Sequence, residues 1–230
     1  MSLPRRAILR SFLVAMGAGA GLARAADASR ASAEPPDAEL TRFFRAVQLD
    51  DAKTVQAMIG ATVNANQLNP LGGEPGLVLA LREDAMRVMQ VFLDHPGTNL
   101  ETRAVNGNTA LMMAAFKRNR EAVEKLLAKG AKVNQPGWTA LHYAAAAGDD
   151  EIVKRLLERG AKIDALSPPR SGAYTPLMMA AREGKDGTAL FLIARGAKAS
   201  LKNSEGLTAE QLAERAGKTR VAQAIRGAAR

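Results

Sequence analysis

The chain carries two histidines, His95 and His142, and no cysteine. Thiol nucleophiles, zinc–thiolate sites and disulfide frameworks are therefore excluded. No Ser-His-Asp order stands at a useful spacing, and no G-x-x-x-x-G-K-[ST] loop is present to cradle a phosphate. His95 sits in Asp94-His95-Pro96-Gly97, a turn composition that leaves it exposed. Asp149-Asp150-Glu151 could offer oxygens to calcium, but the run reads better as a helix start, where acids meet the positive end of the macrodipole. Met112-Met113 and Met178-Met179 could offer soft sulfur to copper. The preferred reading gives each pair one core-facing member and one adaptable surface member. Chemistry is thus scarce: the expectation is no catalytic residue, no metal and no cofactor, with an enzyme as the least favoured class.

What could position residues for binding instead is a helical framework. Aromatic residues make up 4% of the 230 residues, while alanine, leucine and glycine abound. That composition suits close helix packing through small side chains rather than a large aromatic core. The formal net charge is +9; the first 25 residues hold four arginines and no acid, so the remainder carries +5. A modest excess of this kind reads as a solvated basic surface, with attraction to anionic lipid, nucleic acid or an acidic partner as the alternative.

The first 25 residues read as an export address. Arg5, Arg6 and Arg10 make a positive start, Ser11 to Leu22 is apolar but too short to span a bilayer well, and Ala23-Arg24-Ala25 presents small residues where a signal peptidase reads. The same segment resembles a twin-arginine signal in Arg5-Arg6 and Leu9, and departs from it at Pro4, Ile8 and Arg10. Both the twin-arginine and the general secretory route accept such a start, and both lead to the bacterial periplasm. Residues 26–38, rich in Ala, Ser, Glu and Pro, read as a linker without apolar periodicity.

From residue 39 onward the chain repeats itself. Gly107-Asn108-Thr109-Ala110-Leu111-Met112-Met113-Ala114-Ala115 aligns with Gly137-Trp138-Thr139-Ala140-Leu141-His142-Tyr143-Ala144-Ala145, with Ala173 to Ala181, and with Gly206 to Glu214. An amphipathic run follows each of the first three and ends in Gly130-Ala131, Gly160-Ala161 and Gly196-Ala197. The aligned threonines Thr109, Thr139, Thr175 and Thr208 are 30, 36 and 33 residues apart. The irregularity falls in the loops: Lys132 to Gly137 is clipped, and Lys162 to Ala173 is enlarged. Two weaker units lie upstream, around Phe43 to Ile59 and Pro75 to Leu93, with Asp50 and Asp84 where the later units place a turn glycine. Arg118 stands at the same position, and Gly187-Thr188 interrupts a second helix; both are local weak points.

This pattern resembles the ankyrin repeat, whose period is about 33 residues. The resemblance implies an all-α solenoid of about six helix-turn-helix units with hairpin loops over residues 39–230, the first and last units being caps. Thr109, Thr139 and Thr175 are expected to cap helices, Gly148 and Gly184 to end them, and His142 to bond backbone between repeats. The resemblance also implies a concave recognition face drawn from three positions per unit. Those positions hold Asn108, Trp138 and Tyr174; then Met113, Tyr143 and Met179; then Phe116, Lys117 and Arg182. The expected function is a monomeric, non-enzymatic scaffold that binds a protein partner in the periplasm, with no nucleic acid and no stable membrane insertion. Similar exported bacterial proteins suggest support of a stress-defence enzyme such as catalase; an immunity or inhibitor role against a periplasmic effector is the alternative, and an envelope tether held by the basic surface is another.

Overall fold

The computed structural model describes residues 38–228. The export signal and all but the last residue of the linker lie outside those residues.

Twelve α-helices form six successive pairs among the described residues. They are α1 (Ala38–Gln48) with α2 (Ala52–Met58), α3 (Gly76–Arg82) with α4 (Met86–Asp94), and α5 (Ala110–Phe116) with α6 (Arg120–Ala128). They continue with α7 (Ala140–Ala147) and α8 (Asp150–Glu158), α9 (Pro176–Arg182) and α10 (Asp186–Ala194), and α11 (Ala209–Arg215) and α12 (Thr219–Ala228). Most of the first helices have seven or eight residues, too short to hold alone in water. Each packs against the first helix of the next pair, and the second helices form an outer layer. Ala114, Ala115, Ala144, Ala145, Ala180 and Ala181 are wholly buried at these contacts, so the backbones meet with only a methyl group between them. Leu111, Leu141 and Leu177 fill the space between the layers.

The link between the helices of a pair needs one residue at positive φ. Gly148, Gly184 and Gly217 supply it in the last three units, at +75°, +72° and +70°. In the first three it is Asp50, Asp84 and Arg118, at +54°, +59° and +57°, which matches the positions read from the sequence. A left-handed non-glycine residue costs of order 1–2 kcal/mol, less for Asp. Each of these three offsets that cost by reaching the next unit. Asp50 accepts the Val88 N–H at 2.9 Å, Asp84 pairs with Lys117 at 2.8 Å, and Arg118 lies 3.5 Å from Asp149. Where glycine stands, the next unit comes close instead: an added Cβ at Gly148 would meet Lys185 Cδ at 2.7 Å.

The loops are tied together in the same unit-to-unit way. Asn66 accepts the Asn99 N–H at 2.7 Å, Glu101 that of Lys132 at 2.7 Å, Asn134 that of Lys162 at 2.9 Å and Asp164 that of Lys198 at 3.1 Å. The enlarged loop is ordered by the same logic. A 3₁₀ turn at Pro169–Ser171 closes it, buried Ser167 donates its N–H to the Tyr174 carbonyl at 2.8 Å, and the Gly172 carbonyl accepts the Ser204 N–H of the following unit at 2.9 Å.

Because Leu141 is fully buried between central units, Leu141→Ala should cost about 2–5 kcal/mol. Thermal denaturation followed by circular dichroism checks this; a midpoint that barely moves would place Leu141 outside the shared core.

Candidate functional site

The three rows singled out in the sequence do lie side by side along the first helices and hairpins, but most of their members are covered. Asn108, Met113, Tyr143, Tyr174 and Met179 are buried, with at most 8% of their surface exposed. The expectation that they present side chains to a partner is corrected by packing: each neighbouring unit overhangs them. Both members of each methionine pair are likewise buried, so neither Met113 nor Met179 is an adaptable surface residue.

The aromatic residues form one continuous row through the stack. The rings of Trp138 and Tyr174 stack at 6.4 Å with 18° between planes. Tyr143 meets Trp138 edge-on at 6.4 Å and Phe116 at 6.2 Å. The Tyr143 hydroxyl, which burial pushes towards a higher pKa, donates to the Asn108 side-chain carbonyl one unit away. Trp138 Nε1 is out of solvent with no acceptor, so packing alone holds the indole. Arg182 covers the far end, its guanidinium 5.1 Å over the Tyr174 ring. At the near end Lys117 donates to the Arg82 carbonyl at 2.8 Å. What reaches solvent is the partly exposed outer part of Phe116, Trp138, Lys117 and Arg182.

His142 is fully buried under Trp138, whose ring centroid is 5.2 Å away. Its Nδ1 accepts the Thr139 N–H at 3.2 Å, which leaves Nε2 as the donor to the Tyr174 carbonyl of the next unit at 2.9 Å. This is the backbone link between repeats expected of it. Burial pushes the imidazole from 6.5 down to about 4. Met178 stands in the same register and its sulfur accepts the Thr175 N–H at 3.4 Å. Helix capping by threonine is partial. Thr175 accepts the Met178 N–H at 3.2 Å, while Thr109 makes no such bond and the Thr139 hydroxyl lies 2.9 Å from His142 Nδ1.

Three features of this face escaped the sequence reading. Glu74 occupies the register of Asn108, Trp138 and Tyr174, and is buried against Arg82 at 2.5 Å; burial raises its pKa. Leu71 and Val105 stand 80% and 74% exposed on adjacent hairpin tips, joined by a bond from the Val105 N–H to the Gly73 carbonyl at 2.9 Å. A leucine inside Pro70-Leu71-Gly72-Gly73 and a valine before Asn106-Gly107 are apolar residues in turn compositions, which is the signal that could have revealed them. The C-terminal cap, basic in sequence, is largely neutralised. Arg215 pairs with Glu205, Arg220 with Asp186, and Arg226 with Glu210 and Glu214.

A stack of helix pairs with projecting hairpins and a partly open aromatic row has the architecture of a repeat protein. The family model described as ankyrin repeats (three copies) matches residues 43–136, 97–167 and 131–203. The chain therefore belongs to the ankyrin-repeat family, whose members generally serve as interaction scaffolds. It is also similar to the human transient receptor potential cation channel subfamily A member 1, with 33% identity over 92 residues, 40% of this chain and 8% of the channel. The chain thus spans a small fraction of that relative's length.

Because His142 is held neutral, its folded pKa lies below its unfolded value. Its contribution is fully present above about pH 6.5 and is lost as pH falls towards 4, at most about 3 kcal/mol. Urea denaturation between about pH 7.5 and 4.5 should show this fall, and His142→Met, which copies Met112 and Met178, should flatten it. An equal slope in both proteins would assign the pH dependence to other groups.

Proposed function

We propose that this protein is a non-enzymatic scaffold that binds a partner protein through its hairpin tips and first-helix face after export to the bacterial periplasm. One observation carries the binding surface: apolar Leu71 and Val105 project from bonded hairpin tips, while Phe116 and Trp138 on the first-helix row stay partly open. Exposed apolar groups held by rigid, internally bonded supports lose little entropy on binding, which favours recognition of another folded protein. Lys117 and Arg182 close the ends of the row, their charges paired with Asp84 and Glu183. Buried Tyr143 and Tyr174 support this surface from beneath.

The compartment is supported by the pattern of Met1 to Ala25. A stress-defence enzyme such as catalase as the partner is supported by the resemblance to exported bacterial ankyrin-repeat proteins.

The binding face is tested by affinity capture from periplasmic extract with the wild type and a Leu71→Ser, Val105→Ser, Phe116→Ala variant as bait. The variant should keep its melting temperature within a few degrees and lose a specifically captured protein, with affinity lowered by at least about 2 kcal/mol. Retention of the same partner at unchanged affinity would move the interface off this face.

Export is tested separately. Protein recovered from the cell envelope should begin at Ala26, and an intact Met1 on it would count against a cleaved signal. Replacing Arg5 and Arg6 by lysine should strand the precursor in the cytoplasm if the twin-arginine route is used; unchanged export would assign the general secretory route.

A further inference from the structure

The outer helices turn their outermost positions to water, and in all but one of the last five units those positions are polar. Gln90 in α4, Glu124 in α6, Lys154 in α8 and Gln223 in α12 share one register. In α10 that position is Leu190, 40% exposed. The next position is Phe191, where α6 and α8 carry Lys125 and Arg155 and α4 and α12 carry the smaller Val91 and Ala224. Phe191 and Ile193 are only partly covered by the core. Over its last six residues, Ala189 to Ala194, helix α10 is apolar on every side, a pattern that ordinarily belongs to a helix buried all round. Leu190 and the uncovered parts of Phe191 and Ile193 form its outer side.

A file of cations runs beside this face. Three successive units end the outer helix with one phrase: Lys129-Gly130-Ala131-Lys132, Arg159-Gly160-Ala161-Lys162 and Arg195-Gly196-Ala197-Lys198. All six cationic residues are exposed. Repeats stack with roughly 10 Å between neighbouring helices, so these residues form a double row along one edge. Lys129 pairs with Asp94 at 3.4 Å; among the described residues the other five meet no carboxylate at ion-pair distance. Three acids lie on this edge: Glu158 is paired with Arg155, while Asp164 and Glu101 accept the Lys198 and Lys132 N–H groups and keep their charge, so cations outnumber acids without standing alone. Arg195 joins the two features, its guanidinium 4.5 Å over the Phe191 ring. Between α6 and α8, Glu124 and Arg155 cancel across neighbouring helices, and α10 itself has one such pair, Asp186 in its first turn with Arg220.

The occupant must satisfy apolar and cationic groups together. A second copy related by a twofold axis would set these cations against themselves. A nucleic-acid backbone would answer the cations and leave Leu190, Phe191 and Ile193 in water. A depression on the outer layer, lined by Arg120, Glu124, Glu151, Lys154, Arg155 and Glu158, lies between α6 and α8, away from Leu190 and Phe191.

We infer that the outer face of α10 and the adjoining cation file form a peripheral docking surface for an anionic lipid bilayer. Leu190, Phe191 and Ile193 enter the boundary between headgroups and acyl chains, while Arg159, Lys162, Arg195 and Lys198 face lipid phosphates. Shallow apolar insertion and attraction by basic side chains each bind weakly, and together they give reversible membrane association. This surface is separate from the hairpin-and-first-helix face and does not depend on the partner-binding reading.

Co-sedimentation of the purified protein with vesicles of phosphatidylcholine alone, and of phosphatidylcholine with phosphatidylglycerol, tests the inference. Two variants accompany it. Leu190→Gln with Phe191→Lys places at these positions the kinds of residue that neighbouring units carry there, so the fold should tolerate it. Lys162→Glu with Lys198→Glu reverses part of the file. The wild type should bind the anionic vesicles and not the neutral ones, less at high salt. Each variant should bind the anionic vesicles roughly tenfold more weakly or worse. Phe191→Lys adds a positive charge, so attraction by charge alone would strengthen binding; a loss isolates the apolar contact. The inference is overturned if the wild type ignores anionic vesicles, or if the Leu190→Gln, Phe191→Lys variant binds them as well as the wild type. Self-association in sedimentation that this variant abolishes, without vesicle binding, would assign the face to a second copy and overturn it equally.

Discussion

Everything in this molecule depends on the close approach of one first helix to the next. A seven-residue helix has too few internal hydrogen bonds to repay its own ordering. The pairs Ala114-Ala115, Ala144-Ala145 and Ala180-Ala181 remove the side-chain bulk that would hold neighbouring helices apart, and all six are fully buried. The result is a structure whose stability is shared between adjacent units and belongs to none of them singly. The hydrogen bonds that cross between units serve the same contact. His142 reaches the Tyr174 carbonyl, and Asn66, Glu101, Asn134 and Asp164 each hold an N–H of the following loop. These bonds fix the spacing, and the spacing decides which side chains a neighbour covers.

That dependence explains how the sequence could be read so well in one respect and poorly in another. The unit boundaries, the buried leucines, the left-handed positions of Asp50, Asp84 and Arg118 and the place of His142 were all legible. They follow from register within one unit, and register is a local property of the chain. Exposure at the binding face is not local. Met113, Tyr143, Tyr174 and Met179 occupy the expected positions, yet the adjoining units cover them. Tyr174, for example, is shut in by Trp138 from the preceding unit and by Arg182 from its own. No count along a single unit reports that overhang. The paired arginines of the C-terminal cap were hidden for a related reason. Arg220 finds Asp186 in the preceding unit, and the sequence records their charges without their proximity.

The buried aromatic row is consequently a support and only at its margin a surface. Its rings meet at angles and distances suited to mutual packing, and the Tyr143 hydroxyl is spent on Asn108 inside the stack. A rigid support of this kind matters to binding because it fixes the groups that do project. Leu71 and Val105 stand on hairpins bonded to each other, and Phe116 and Trp138 are braced from below. Affinity per unit of apolar surface is higher when that surface is already ordered. On the proposed reading, the inner face would owe its recognition to residues that a partner does not touch.

The two layers follow different rules for the same reason. First helices are constrained by neighbours on both sides, so their side chains are small or buried and their exposed remainder is narrow. Outer helices are constrained on one side only, and their free side normally carries charges that cancel across units, as in Glu124 with Arg155. A departure from that cancellation is visible because the repeats supply their own comparison. Leu190 and Phe191 can be set against Lys154 and Arg155 one unit earlier, in the same register and on the same layer. Leu190 takes no part in the buried side of α10, which Thr188, Ala189 and Leu192 make with Phe191 and Ile193 packed partly against it. An apolar free side with unpaired cations beside it therefore has to be understood through what lies outside the stack, whereas the charged free sides of its neighbours are explained by the stack itself.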